Sequence, residues 1–287
     1  MGMQRLVNLR GVFLAQNRKI TILIVAVTCL IIGAWLAYSI FYTGLEKPRP
    51  TGATEWYEVS KRSISRLWGQ GIAFDGVYWY FSGRQYLCKT CLNYSIIIEN
   101  RNPIPQELRK QGYDHIGDVD YFKGIIYAPV ENYEYRNGTF VLYFAENLTY
   151  TGKYIKTSQS HMPWCAIDPE TQLLYSSEFD NVRSLYVYDL KKDFRRLKDL
   201  PLSQTLHRVQ GGAIHDGLLY LSCDDFGEHI YIVDIKTGEI LDSFATNIGW
   251  EMEGITIYKF ENASLGILHF IDHGKNIYHY SLKEAAS

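Results

Sequence analysis

The chain has 287 residues, 47% of them hydrophobic and 15% aromatic, with 29 basic and 31 acidic side chains for a formal net charge of −2. That length holds one sizeable core or two small ones, and the charge leaves no basic footprint for a nucleic acid partner. The 23 tyrosines, a residue type at home on half-buried strands, tilt the composition toward an all-β fold.

In chain order, residues 1–19 carry Arg5, Arg10, Arg18 and Lys19 and no acidic residue. From Ile20 to Tyr42 the stretch ITILIVAVTCLIIGAWLAYSIFY is uncharged over 23 residues. A single transmembrane helix needs roughly 20. The basic tail before it predicts a cytoplasmic N-terminus and a single-pass type II membrane protein. The remainder would then face the extracellular space or the secretory lumen, or the periplasm in a bacterium. Trp35, Tyr38 and Tyr42 stand where interface aromatics would. The competing reading is a cleaved signal peptide ending near Ala37-Tyr38-Ser39, but the apolar run exceeds the ~7–15 residues of such a segment. Residues 43–53, rich in Pro and Gly, read as a linker.

From residue 54 to 287 one pattern returns. QGIAFDGVYWYFSG begins at Gln70, HIGDVDYFKGIIYAPVE at His115, MPWCAIDPETQLLYSSEF at Met162, QGGAIHDGLLYLSCDD at Gln210 and MEGITIYKFENASLGILHFIDHG at Met252. Each is an apolar strand, a turn, and a Tyr- or Leu-rich strand. A third strand follows (YSIIIEN, TFVLYFAENL, SLYVYDLKKD, HIYIVDIKTGE, NIYHYSLKEA), and a fourth is legible in KTGEILDSFA and ENLTYTGKYI. Four strands repeating every ~40–45 residues predict propeller blades, which bury their faces against one another. Five blades fit the length, and six remain the alternative should 43–69 contain more structure. The fifth lacks a fourth strand, which Thr54–Ser63, TEWYEVSKRS, is placed to supply, closing the ring without an open edge.

This rhythm, over about residues 54–287, resembles the secreted and membrane-anchored β-propellers: gluconolactonase, strictosidine-synthase-like proteins, paraoxonases and plant-type glutaminyl cyclotransferases. The central funnel of such a ring would take a small molecule, with or without a divalent metal, for hydrolase- or lyase-type chemistry. Those relatives generally have six blades, or five in the calcium-activated nucleotidases. The resemblance carries over no catalytic residue.

In such a ring the start of strand one and the end of strand two share one mouth. Strand-one starts supply Gln70, His115 with Asp118, His161, Gln210 and Glu253. Strand-two ends supply Arg84, Glu131, Glu178, Asp224 with Asp225, and Asp272 with His273. Gly71, Gly211 and Gly254 follow Gln70, Gln210 and Glu253 at one register, permitting crowding near the axis. Convergent polar groups in a concave site are the default site expectation. His115, Asp118, His161 and Glu253 are the candidates for catalysis, and His115 beside Asp118 would be an oriented general base. Gln70 and Gln210 would orient substrate or coordinate a metal, with Arg84, Glu131, Glu178, Asp272 and His273 lining the site. Carboxylates and amide oxygens suit Ca²⁺, and histidine with carboxylates also suits Zn²⁺ or Mn²⁺. Asp118 and Glu253 are the metal-ligand candidates.

Cys88 and Cys91, in CKTC, fall between the second and third expected strands and predict a loop disulfide. Redox chemistry would need a helix-start context absent here. Cys165 and Cys223 read as small buried residues or a pair. Asn93, Asn137, Asn147 and Asn262 begin N-x-Ser/Thr sequons in expected loops, where glycans attach in a eukaryotic secretory protein. No G-x-S-x-G, H-E-x-x-H, phosphate-loop or dinucleotide pattern occurs. Two classes of function remain: an enzyme of the funnel, and a propeller that binds a glycan or protein through aromatics such as 79–81 (WYF), Trp164 and Trp250.

Overall fold

Short runs of β-branched and aromatic residues, cut by Gly, Asp and Asn turns, fold into five blades. The computed structural model describes residues 55–260 and 265–283, together with Thr28 and Gly33. Strand β1 (Trp56–Ser63) precedes the first blade. Blade one is β2 (Gly71–Phe74), β3 (Trp79–Gly83), β4 (Tyr86–Thr90) and β5 (Ile96–Asn100). Blade two is β6 (Tyr113–Ile116), β7 (Asp120–Phe122), β8 (Ile125–Asn132), β9 (Thr139–Phe144) and β10 (Tyr150–Lys156). Blade three is β11 (Ala166–Asp168), β12 (Leu173–Ser176), β13 (Val182–Asp189) and β14 (Arg195–Leu206). Blade four is β15 (Val209–His215), β16 (Leu218–Cys223), β17 (His229–Asp234) and β18 (Ile240–Ala245). Blade five is β19 (Met252–Ile257), β20 (Leu268–Asp272) and β21 (Asn276–Leu282), and β1 completes it, antiparallel to β21 from Trp56↔Leu282 to Ser63↔Asn276.

The apolar residues sort into five clusters, one at each junction between neighbouring blades. Ala73, Tyr80 and Ile126 lie between blades one and two, for example, and Ile72, Trp79 and Ile277 between blades five and one. A four-stranded sheet has two faces to cover, and radial packing covers both. Most of the expected aromatic platform is therefore interior: Trp79, Tyr80, Phe81 and Trp164 are buried, and only Trp250 of that set is exposed.

Three expectations are corrected. Fourth strands occur in every blade, including the 12-residue β14, whose charged outer face hid it from hydrophobic patterning. Tyr86–Thr90 is the third strand of blade one, and YSIIIEN contributes the fourth. Cys88 therefore lies inside β4, buried in the apolar cluster with Trp68 and Phe81, and Cys91 just follows the strand. Residues three apart on an extended chain face opposite ways, and both cysteines are free thiols, as are Cys165 and Cys223, both buried.

The anchor expected over 20–42 lies outside the described residues apart from Thr28 and Gly33, which are helical. The expected tail 1–19, the linker 43–53 and Asn262 lie outside them altogether. Among the described residues no helix is long and apolar enough to cross a membrane. The propeller falls within one compact unit, Pro48–Ser287.

Candidate functional site

The first strand of blade two is broken between β6 and β7, and the break puts Asp118 on the propeller axis. Asp118 Oδ1 accepts from Ile72 N at 2.9 Å in blade one, and Oδ2 accepts from Gly212 N and Ile255 N, both at 3.1 Å, in blades four and five. Its own backbone pairs with blade three, donating to Pro163 O at 2.7 Å. One residue thus ties its own blade to the other four. The three glycines of the repeated register surround it: a Cβ on Gly211 would stand 2.7 Å from Oδ2, one on Gly71 would stand 2.5 Å from the Asp118 Cα, and one on Gly254 would strike Oδ1. The glycines are required by close approach to a carboxylate, as their register suggested. Burial holds the Asp118 carboxyl well above the usual carboxylate range despite its three amide donors. Both oxygens are engaged and the side chain has no exposure, so Asp118 is withdrawn from the mouth where the sequence placed it as a base or metal ligand.

Above this hub, strand-one starts and strand-two ends open on a cavity of about 690 Å³. His115 sits directly opposite Glu131 across the β6–β8 pair. Glu131 is 1% exposed; its Oε1 accepts from Met162 N, and its Oε2 has no hydrogen-bond partner. That oxygen lies 3.5 Å from His115 Nδ1 and 3.5 Å from His161 Nε2. Burial pushes Glu131 up to about 8 and both imidazoles down to about 4. Burial thus favours a protonated carboxyl between two neutral imidazoles. His161 is held between the rings of Tyr135 and Phe179, with centroids at 4.4 and 4.7 Å.

The chain of contacts continues around the mouth. His115 Nε2 meets Gln70 Oε1, and Gln70 Nε2 donates to Glu253 Oε1 at 3.0 Å. His273 Nδ1 lies 3.3 Å from the same oxygen. Burial raises Glu253 to about 7, while its hydrogen bond raises His273. The path Glu131–His115–Gln70–Glu253–His273 joins blades two, one and five. Beside it Glu251 accepts from Gln210 Nε2 at 2.7 Å and Arg208 Nη2 at 3.3 Å. Arg208 adopts a left-handed backbone (φ 52°) and also grips Asp224, a strained conformation of the kind that clusters at functional sites.

Of the residues expected at the mouth, Gln70, Arg84, His115, His161, Gln210, Glu253 and His273 line the cavity. Glu131 stands behind His115 and His161. Glu178 is not among the lining residues and instead accepts from Ser160 N and His161 N at 3.1 and 2.7 Å. Asp272 is fully buried and accepts from Asn276 N and Tyr278 Oη at 2.7 and 2.8 Å. Asp225 repeats that role with Tyr231 at 2.7 Å. A carboxylate followed six residues later by a Tyr in these blades is thus a structural clasp. The sequence reading missed Arg66, Arg208, Glu251 and Lys275. Glu251 had a readable signal, being two residues before Glu253 and hence on the same side of an extended chain.

Glu251, Glu253 and His273 offer ligand atoms within 4.8 Å of one another, the donor set for a divalent cation among the described residues. Of the two residues named as metal-ligand candidates, Glu253 belongs to this group and Asp118 does not. Asn93, Asn137 and Asn147 are exposed in turns. No family model matches the chain, and no curated protein matches it either.

Proposed function

We propose that the funnel binds a small molecule and performs hydrolase- or lyase-type acid–base chemistry on it. The carrying observation is the unpartnered Glu131 Oε2, sealed from water and flanked by two imidazoles that face the cavity. An isolated buried carboxyl is costly, and perturbed titrating groups in a cleft favour a functional role over a purely structural one. His161, next to the substrate space, takes a proton from water or substrate, and Glu131 holds or returns one behind it. Glu253, which titrates near 7, is matched to neutral-pH proton transfer on the opposite arm of the network. Gln70 orients His115 and Glu253 together.

The test is a screen of the purified full-length chain against ester, lactone, phosphoester and pyroglutamyl-forming substrates, followed by His161→Ala and Glu131→Gln. Loss of about 10²–10⁴-fold in turnover in either variant is expected for a general acid–base group. Unchanged turnover in both would overturn the assignment. Metal analysis accompanies the screen: a stoichiometric divalent ion abolished by Glu253→Gln would move the chemistry onto Glu251, Glu253 and His273.

A non-catalytic glycan- or protein-binding propeller is the second reading, favoured by Phe226 (81% exposed) and Trp250 (57%), which stand uncovered in loops on the mouth face. Glycan-array binding lost on Trp250→Ala, with no turnover in the screen, would establish it. For localisation we propose the single-pass type II arrangement with the propeller outside the cytoplasm, carried by the uncharged run 20–42 and the basic tail. The exposed sequons at Asn93, Asn137 and Asn147 would then be glycosylated, which a glycosidase mobility shift reads directly.

A further inference from the structure

The propeller is the acidic part of this chain, yet its funnel is basic. Six of the 29 basic residues precede position 54, against Glu46 alone among the 31 acidic ones. The excess of acid therefore belongs to the propeller, more strongly than the overall charge of −2 shows. Five cations nevertheless line the cavity, Arg66, Arg84, Arg101, Arg208 and Lys275, against two carboxylates, Glu251 and Glu253. Cations in a cleft that exceed the carboxylates beside them raise the local concentration of anionic ligands.

Three of the cations are already paired with carboxylates outside the lining. Arg84 meets Asp114 at 2.6 Å, Arg101 meets Glu99 at 2.8 Å, and Arg208 meets Asp224. Those pairs hold the guanidinium groups in place. Arg66 and Lys275 differ: among the described residues neither side chain is in a hydrogen bond or an ion pair. Lys275 is half-buried and lies across Gly69, where an added Cβ would strike the ammonium and stand 2.7 Å from Cε. Glycine at 69 is what lets the ammonium lie in the funnel. Lys275 also acts on Glu253, favouring its carboxylate, and on His273, disfavouring its protonation.

We propose that the molecule taken into the funnel carries an anionic group, a carboxylate or a phosphate, seated on Arg66 and Lys275 where blades five and one meet. This rests on the reading of the funnel as a small-molecule site and assigns its substrate class. The anionic end anchors on that side, and the reactive end is presented to His161 and Glu131 on blades three and two.

The test is calorimetric titration of the purified full-length chain with inorganic pyrophosphate, with citrate and with glucose, at low and high sodium chloride. Pyrophosphate or citrate should bind, more weakly as salt rises, and glucose should not. Pyrophosphate alone identifies a phosphate class, and citrate alone a carboxylate class. The double variant Arg66→Ala/Lys275→Ala should bind at least about tenfold more weakly, because charge-assisted hydrogen bonds are lost. Arg66→Lys/Lys275→Arg should retain binding, and Arg195→Ala, on the outer strand β14, should match the parent. Absence of binding by both anions, or equal binding by the Ala double variant, overturns the proposal. Glu131→Gln separates the two readings. Anion binding kept in this variant, with no turnover in the parent, sinks the acid–base chemistry and leaves the anion site. Turnover without anion binding does the reverse.

Discussion

At the residue scale, Asp118 and Glu131 show that a carboxylate's surroundings set its role. Both are buried and both are pushed upward. Asp118 receives three backbone amides and is structural, whereas Glu131 keeps one oxygen bare beside two histidines. Asp118→Ala would leave three buried amides without an acceptor, at ~1–3 kcal/mol each, set against a total stability of about 5–15 kcal/mol. The expected outcome is a melting temperature lower by at least ~10 °C, or no cooperative transition, in a circular dichroism melt. A shift of only a degree or two would show that the hub is dispensable. Gly254→Ala should act in the same direction, since its Cβ collides with that carboxylate.

At the element scale, β1 decides whether the ring closes. Without it β21 would present a bare edge, which invites pairing with another chain. Trp56 fastens the strand, stacking on Phe244 with centroids 5.3 Å apart and meeting Tyr220 edge-on at 6.1 Å. Trp56→Ala should cost about 3 kcal/mol, measured by urea unfolding. An unchanged unfolding midpoint would mean that strand pairing alone holds the closure. The broken first strand of blade two is the second decisive element. Its interruption at 117–119 puts Asp118 on the axis while leaving His115 in register with Glu131 at the mouth.

At the scale of the whole molecule, buried histidines and buried carboxyls pull stability in opposite directions with pH. His115, His161 and His279 are depressed to about 4 and His269 to about 3. Below about 6.5 the unfolded chain takes up protons that these residues refuse when folded, so stability falls as pH drops. Glu131 is raised to about 8, and Glu253 and Asp120 to about 7. These carboxyls keep protons that the unfolded chain releases near 4, so their contribution falls as pH rises toward 8. The two slopes oppose one another between about 4.5 and 6.5, and above 6.5 the carboxyls, joined by the raised His273, lower stability as pH rises. Urea unfolding should show a loss of ~1–2 kcal/mol between pH 6.5 and 8, and Glu131→Gln should reduce it, leaving the smaller slope of the other raised carboxyls. A parent stability that rises over that range would show that Glu131 is ionised beside a charged histidine.

The sequence by itself determined the all-β class, the five-fold repeat, the closing strand and the polar-Gly register, because each is written in local periodicity. It also brought Gln70, His115, His161, Gln210, Glu253 and His273 to one mouth, since strand direction alone places strand-one starts and strand-two ends together. The tertiary structure decided which charges are spent on architecture. Asp118, Glu178 and Asp272 look like site residues until their partners, up to 137 positions away in sequence for Asp118, are known. Cys88 looked like a loop cysteine until the register of β3 with β4 was fixed. Arg66 and Lys275 carry no local signal at all, because whether a cation is paired is decided by what the other blades place beside it.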